Sequence, residues 1–204
     1  MYVCDDCHEP DDGLFCACVP REIIRTHEKA APASGMVARC FFDAKGETMQ
    51  IIDYFHSENQ EHWRTQIAQY EWRAAKYLAH LLETGEFHSF VGDGTLYLLT
   101  DGDKLVSFAS LAKRDCIDVT YTPWIGFVHT APEYRGHRYV GKLIDHACAV
   151  AGEHGAARVY ICTDHVGLYE KYGFTYLENR VDHFGGESRV YFRDSEKMKG
   201  RLNT

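Results

Sequence analysis

The sequence lacks an apolar run long enough to form a membrane-spanning helix. Its first residues, MYVCDDCHEPDD, are acidic where a signal peptide would be basic and then apolar. We therefore expect a cytoplasmic protein that has no membrane partner. In that compartment its eight cysteines are expected to be reduced.

Several other marks of common functions are also missing from the sequence. Basic residues number 22 against 30 acidic ones, and this net charge of −8 argues against a general nucleic-acid binder. The 12 histidines show no HExxH spacing, so no catalytic metal is expected. Neither a Walker loop nor a G-x-G-x-x-G dinucleotide motif occurs. A chain of 204 residues with 45% hydrophobic and 25% charged residues matches one ordinary globular domain.

The N-terminal quarter differs in composition from the rest of the chain. We interpret residues 1–48 as a cysteine-rich extension and residues 49–204 as the main domain. Two short cysteine pairs in the extension leave two interpretations open, a structural zinc site or thiols that bind no metal, and we favour the second. A third hypothesis treats the extension as a protein-docking element. The cysteines concerned are Cys4, Cys7, Cys16 and Cys18.

The patterning of the main domain predicts alternating strands and helices. The predicted order is β-α-α-β-β-β-α-β-α-β-β, which describes a mixed, mostly antiparallel sheet with helices on both faces, an α/β fold. Ser57 and Gln60 have the spacing of a helix capping box. Strands are predicted at 49–55, 95–100, 104–112, 124–130 and 157–163, with a final pair around Gly185-Gly186; helices are predicted from about 57, before Gly85, from Tyr139 to before Gly155, and at 165–173.

The segment PEYRGHRYVGK joins the predicted strand ending at Thr130 to the predicted helix starting at Tyr139. A helix N-terminus presents unpaired N–H groups and a partial positive charge, which favours anion binding. Arg135, Arg138 and Lys142 add cationic side chains, and Gly136 permits close approach of the backbone. The alternative is an ordinary strand-to-helix turn with solvated basic residues.

A second motif, GLYEKYGF (167–174), follows about thirty residues downstream of the first. With both motifs in this order, residues 50–194 resemble the GCN5-related N-acetyltransferase (GNAT) superfamily. The segment PEYRG of this chain, followed by a helix, resembles the loop with which that family binds the pyrophosphate of coenzyme A. The family loop reads Arg/Gln-x-x-Gly-x-Gly/Ala, whereas this chain has Arg138 and Val140 at the two small-residue positions.

The resemblance implies transfer of an acetyl group from acetyl-CoA to a primary amine, directly and within a ternary complex. Tyr169, in LYEK, is implied as the acid that protonates the departing thiolate. A backbone N–H at about Val128 to Thr130 is implied as the donor to the thioester oxygen. The residues implied in acetyl-CoA binding are Val128, His129, Thr130, Arg135, Gly136, His137, Arg138, Tyr139, Val140, Gly141 and Lys142.

Three aspects of this hypothesis stay open on the sequence. The base could be His129, Glu133 or a water relay. The altered loop could instead belong to a non-catalytic acyl-CoA-binding or regulatory module. A small molecule or a peptide could supply the amine, and a homodimer is open. The resemblance places the acceptor cleft between about 57–90 and 178–190, where aromatic residues (Trp63, Tyr70, Trp72, Phe184) mix with acids (Glu58, Glu61, Glu71, Asp182, Glu187).

Overall fold

A computed structural model describes residues 39–42, 48–183 and 185–195. The cysteine pairs of the N-terminal extension, and Phe184, lie outside the described residues. The strands are β1 (Arg39–Phe42), β2 (Thr48–Asp53), β3 (Gly94–Asp101), β4 (Lys104–Ala112), β5 (Trp124–Thr130), β6 (Arg158–Thr163), β7 (Thr175–Val181) and β8 (Glu187–Asp194). The α-helices are α1 (Gln60–Gln69), α2 (Arg73–Thr84), α3 (Phe87–Val91) and α4 (Tyr139–Glu153).

The described strands form one eight-stranded sheet in the order β1-β2-β3-β4-β5-β6-β8-β7. Only the β5–β6 pair is parallel among these strands, so the predicted mixed, mostly antiparallel sheet is confirmed. The β3–β4 hairpin turns at Gly102-Asp103, as the turn signal predicts. Because β1 pairs with β2, the sheet begins upstream of residue 49.

Alternation along the central strands separates two hydrophobic faces of the sheet. On β3, Tyr97 and Leu99 face one side, while Leu96 and Leu98 face the other. The first side is covered by α4, whose apolar stripe includes Leu143. The other side is covered by α1 and α2. Helices therefore lie on both faces, as predicted.

The buried apolar side chains that the structure describes form three cores. The α4 core is continuous and includes Leu143, Val128 and Ile161. The opposite face carries two separate cores. The α1–α2 core includes Ile67, Leu78 and Phe127, and the minor core consists of Cys116, Ile117, Trp124, Cys162 and Val190.

The helix boundaries confirm one sequence signal and correct another. Helix α4 begins at Tyr139 and ends before Gly155, which adopts φ +85°, as its sequence predicts. The capping box at Ser57 is wrong, because Asn59 is the N-cap of α1. The Ser57 hydroxyl instead accepts bonds from Asn59 N–H and Trp63 Nε1–H, both at 3.2 Å.

Three short elements differ from the sequence prediction. The segment predicted as a helix at 165–173 contains a 3-10 helix, Tyr169–Tyr172. Gly167 and Gly173, both at φ near +80°, bracket it and leave too few residues for α-helical bonding. Strand β1 and helix α3 escaped prediction because four or five residues are too few to show a period. None of the described helices combines the length and apolarity needed to span a membrane.

Candidate active site

Strands β5 and β6 separate soon after they meet. Within the described chain they pair at two positions, Trp124 with Tyr160 and Ile125 with Ile161. Beyond these pairs β5 continues to Thr130 and β6 to Thr163. The sheet is therefore open along a seam that ends beside the Thr130–Tyr139 loop.

A bulge distorts β5 at the point where the seam opens. Phe127 has φ +49°, and the β4–β5 register shifts between Phe108 and Ser110. Positive φ is strained for an aromatic residue, so surrounding contacts must hold it. Phe127 is 1% exposed and packs against the rings of Phe87 and Phe90. A bulge interrupts the hydrogen-bond ladder and changes the direction of the neighbouring side chains. No residue type in this strand predicts it.

The three predicted strand residues that follow the bulge are all buried. Val128 lies in the α4 core. The Ser107 hydroxyl donates to the His129 carbonyl oxygen at 2.6 Å and lies 3.1 Å from the Thr130 hydroxyl. The end of β5 is thus held firmly on its β4 side.

The imidazole of His129 lies within a group of aromatic rings. Its centroid lies 4.4 Å from Tyr70, 5.2 Å from Phe108 and 5.3 Å from Trp72, and the Trp72 ring is nearly parallel. Burial, followed by the charges of Glu133 and Tyr134, raises the pKa of Tyr70 to about 12. Tyr70 therefore stays protonated at neutral pH and donates to the Leu105 carbonyl oxygen at 3.1 Å.

The loop between β5 and α4 has the open backbone that its sequence predicts. Gly136 has φ +80°, and no atom lies within 4 Å of the position its Cβ would occupy. Arg135 turns back so that its Nε donates to the Thr130 carbonyl oxygen at 3.4 Å. The His137 side chain is exposed; its Nδ1 lies 2.9 Å from the Arg135 carbonyl oxygen, and its ring stacks on Tyr139.

Arg138 is the N-cap of α4 and adopts a left-handed conformation with φ +58°. The glycine that the family motif has here would adopt this conformation without strain. Arg138 keeps the glycine-like backbone, and its side chain is exposed. The departure from the motif therefore adds an exposed guanidinium at a position whose backbone a glycine would adopt without strain.

The first turn of α4 combines buried side chains with exposed charge. Val140 is fully buried, and a Cβ on Gly141 would lie 2.9 Å from Tyr172 Cε1. Both residues could reach a ligand at the loop only through their backbones. Lys142 is exposed, one turn from the open end of the helix. An α-helix leaves the N–H groups of its first turn without intrahelical acceptors, so this end attracts anions.

Tyr169 opens the 3-10 helix that follows β6. Its side chain is 0% exposed and belongs to the α4 core together with Val128 and Val140. Its ring meets Phe174 edge-on, with centroids 5.9 Å apart. The fold thus brings Tyr169, the end of β5 and the start of α4 into one cluster.

A shallow depression on the outer side of α1 lies away from the seam and is lined by Glu58, Asn59, Glu61, His62, Thr65, Gln66 and Gln69. Among the described residues, no group of His, Cys, Asp and Glu side chains is arranged to hold a metal ion. The four N-terminal cysteines lie outside the described part of the chain.

Known proteins share this architecture. Residues 48–174 match the acetyltransferase (GNAT) family model. No curated protein matches the chain significantly. A GNAT-family protein from Desulfovibrio desulfuricans has a similar fold, with a TM-score of 0.56, 12% identity, and coverage of 72% of this chain and 99% of that one.

Two further solved structures have the same fold at low identity. A GNAT family acetyltransferase from Elizabethkingia anophelis, with acetyl-CoA bound, is 16% identical, with a TM-score of 0.52 over 72% of this chain and 97% of that one. A spermidine N-acetyltransferase from Vibrio cholerae is 14% identical, with a TM-score of 0.52 over 76% of this chain and 98% of that one.

Proposed function

This chain belongs to the acetyltransferase (GNAT) family, and from that premise we propose that it transfers an acetyl group from acetyl-CoA to a primary amine in a ternary complex. The observation that supports the proposal is that the seam ends beside the cationic loop before α4, and that Tyr169 is buried in the same core as Val128 and Val140. The acceptor is a small molecule or a peptide, and the reaction takes place in the cytoplasm.

We assign the diphosphate of acetyl-CoA to the loop and the first turn of α4. The space around Gly136 is open, so a phosphate can approach the backbone N–H groups closely. Arg135, Arg138 and Lys142 contribute positive charge, and a guanidinium can also bind a phosphate through two parallel hydrogen bonds. The rings of His137 and Tyr139 stack on each other where the same loop meets α4.

We assign the seam to the thioester. Negative charge develops on the thioester oxygen as the amine attacks, and fixed backbone donors stabilise such charge strongly. The N–H groups at Val128 to Thr130 are the proposed donors, since they follow the bulge. Tyr169 is the proposed acid for the thiolate, because a phenol remains protonated at neutral pH.

The proton of the amine is assigned to solvent. His129 is 2% exposed and surrounded by three aromatic rings, which supports a packing role. Glu133 is exposed on the loop and can exchange protons with water directly. A water relay therefore needs no dedicated side chain.

Titration calorimetry with CoA, followed by thiol release from acetyl-CoA against an amine panel that includes spermidine, tests the proposal. We expect CoA binding and turnover with at least one amine. Tyr169→Phe should reduce kcat by about 100-fold while CoA affinity stays unchanged. Tyr172→Phe, three residues along the same 3-10 helix, is the matched control and should keep kcat.

Two outcomes would contradict the proposal in different ways. Absence of CoA binding by folded protein would remove the cofactor assignment and the enzyme with it. CoA binding without turnover on any amine would favour the alternative, a non-catalytic acyl-CoA-binding module.

A further inference from the structure

A buried pair of hydroxyl groups lies where β5 ends. Ser107 on β4 and Thr130 on β5 are directly opposite each other, and both side chains are 0% exposed. The Ser107 hydroxyl donates its proton to the His129 carbonyl oxygen, because a carbonyl can only accept. The Thr130 hydroxyl, 3.1 Å from Ser107 Oγ, is then the donor to Ser107. The two hydroxyls therefore form a chain of hydrogen bonds that ends on the His129 carbonyl.

The carbonyl at the end of this chain belongs to the peptide group that joins His129 and Thr130. A peptide group is planar and trans, so its C=O and its N–H point in opposite directions. Ser107 lies on the β4 side of β5. Because it holds the His129 carbonyl at 2.6 Å, it turns the Thr130 N–H away from β4.

The hydrogen bond of the next residue indicates the same direction. The Ala131 N–H donates to the Val106 carbonyl oxygen at 2.9 Å, so the Ala131 N–H faces β4. Hydrogen-bonded and non-hydrogen-bonded pairs alternate along an antiparallel ladder, so the pair of Thr130 with Ser107 is non-hydrogen-bonded. The backbone N–H and C=O of Thr130 therefore face the other edge of β5, which is the edge along the seam.

This edge of β5 is open to a ligand that lies in the seam. Among the described residues, β6 pairs with β5 no further than Ile125. The Thr130 carbonyl oxygen accepts a hydrogen bond from Arg135 Nε at 3.4 Å, so the first arginine of the loop contacts the same edge. A ligand with its phosphates at the loop and its chain along the seam would pass the Thr130 N–H.

The backbone ladder is irregular beside this peptide group. The β4–β5 register shifts between Phe108 and Ser110, opposite the Phe127 bulge. A bulge disrupts ladder bonds locally, so a side-chain bond can fix a peptide group that the ladder holds less well. A hydrogen bond accepted by the carbonyl also polarises the peptide group and makes its N–H a stronger donor. Ser107 therefore acts on both the direction and the donor strength of the Thr130 N–H.

We propose that Ser107 is a positioning residue that directs the Thr130 N–H into the seam, where this N–H donates to a carbonyl oxygen of bound acetyl-CoA. The inference rests on the proposed function and selects one N–H among those of Val128 to Thr130. Acetyl-CoA has carbonyl oxygens on its thioester and on the amides of its pantetheine arm. Ser107 itself is enclosed and acts on the ligand only through the peptide group.

The test compares Ser107→Ala with Ser110→Ala, which truncates another buried serine of the same strand. Steady-state kinetics with acetyl-CoA and calorimetry with CoA are measured on the full chain. We expect Ser107→Ala to reduce kcat/KM for acetyl-CoA by about tenfold, and Ser110→Ala to leave it unchanged. A fall in kcat with unchanged CoA affinity assigns the N–H to the thioester oxygen, whereas a fall in CoA affinity assigns it to an amide oxygen of the arm.

Two further variants separate this role from a contribution to stability. Ser107→Thr keeps the hydroxyl but adds a methyl group to an enclosed position, so it should lower the urea midpoint while kcat/KM stays near the wild-type value. Thr130→Val removes the donor to Ser107 at nearly the same volume and should reduce kcat/KM by about threefold.

The positioning role is wrong if Ser107→Ala keeps both kcat/KM and CoA affinity, or if Ser107→Thr loses as much kcat/KM as Ser107→Ala. Failure of the proposed function is distinct, because folded wild-type protein would then bind no CoA. If the wild type and Ser107→Ala bind CoA and acetylate an amine equally well, the acetyltransferase stands and the role of Ser107 does not.

Discussion

The β3–β4 and β5–β6 strand pairs of this sheet differ in the number of positions at which they pair. Strands β3 and β4 pair at eight positions and form a tight hairpin, whereas β5 and β6, both described in full, pair at two. The first pair has buried residues along nearly its whole length. The second opens beside the cationic loop. The hairpin ladder is thus continuous apart from one register shift, and the candidate site lies where the β5–β6 ladder is interrupted.

The two faces of the sheet respond differently to that interruption. The α4 core contains Val128 from β5 and Ile161 from β6, so it crosses the seam. On the opposite face the α1–α2 core and the minor core remain separate. Helix α4 therefore joins the two parts of the sheet, while the other face stays divided.

Leu143→Ala should have the largest effect, because it removes a fully buried side chain from the core that crosses the seam. We expect the free energy of unfolding to fall by about 3 kcal/mol in urea titrations. Glu153→Ala, exposed near the end of the same helix, should change it by less than about 0.5 kcal/mol. Two separate unfolding transitions in the wild type would contradict this interpretation, because they would show that α4 does not join the two parts of the sheet.

Gly141→Leu should have the next largest effect. The added side chain would meet the ring of Tyr172 and should lower the free energy of unfolding by about 2 kcal/mol. Gly136→Ala meets open space and incurs only the cost of its left-handed backbone, about 1 kcal/mol. Thermal denaturation of the two variants gives this order, and the reverse order would mean that the α4–Tyr172 contact is not formed.

Arg138→Gly separates stability from ligand binding. Relief of the left-handed backbone should raise the free energy of unfolding by about 1 kcal/mol. Loss of the guanidinium should weaken CoA binding by about fivefold in calorimetry. An unchanged CoA affinity would show that Arg138 makes no contact with the phosphates.

Asp115→Asn should have the smallest effect. Burial raises the pKa of Asp115 above its unfolded value, so ionisation of this carboxyl destabilises the fold as pH rises through the raised value. The variant should raise Tm by about 2 °C at pH 7, and the gain should shrink as pH falls towards about 4. A gain that is independent of pH would show that the side chain acts through packing.

The sequence predicted the features that depend on local pattern. The helical period of α4, the glycine that follows it and the β3–β4 turn each depend on residues close together in the sequence, and the structure confirms them. The Phe127 bulge has no local sign, since contacts from α3 hold it. The assignments of Tyr169 and the acetyl-CoA residues stay predictions.

The early parting of β5 and β6 gives the molecule two interior sheet edges. Exposed edges usually invite another chain to add a strand, and proteins protect them with charge, bulges or cover. Here Phe127 bends one edge, and α4 closes one side of the gap. Another polypeptide strand would have to enter the gap between β5 and β6 from the side, past packed helices. A narrow and flexible ligand could enter along the direction of the strands. The gap can therefore present backbone N–H and C=O groups to a narrow ligand, while it hinders the addition of a strand from another chain.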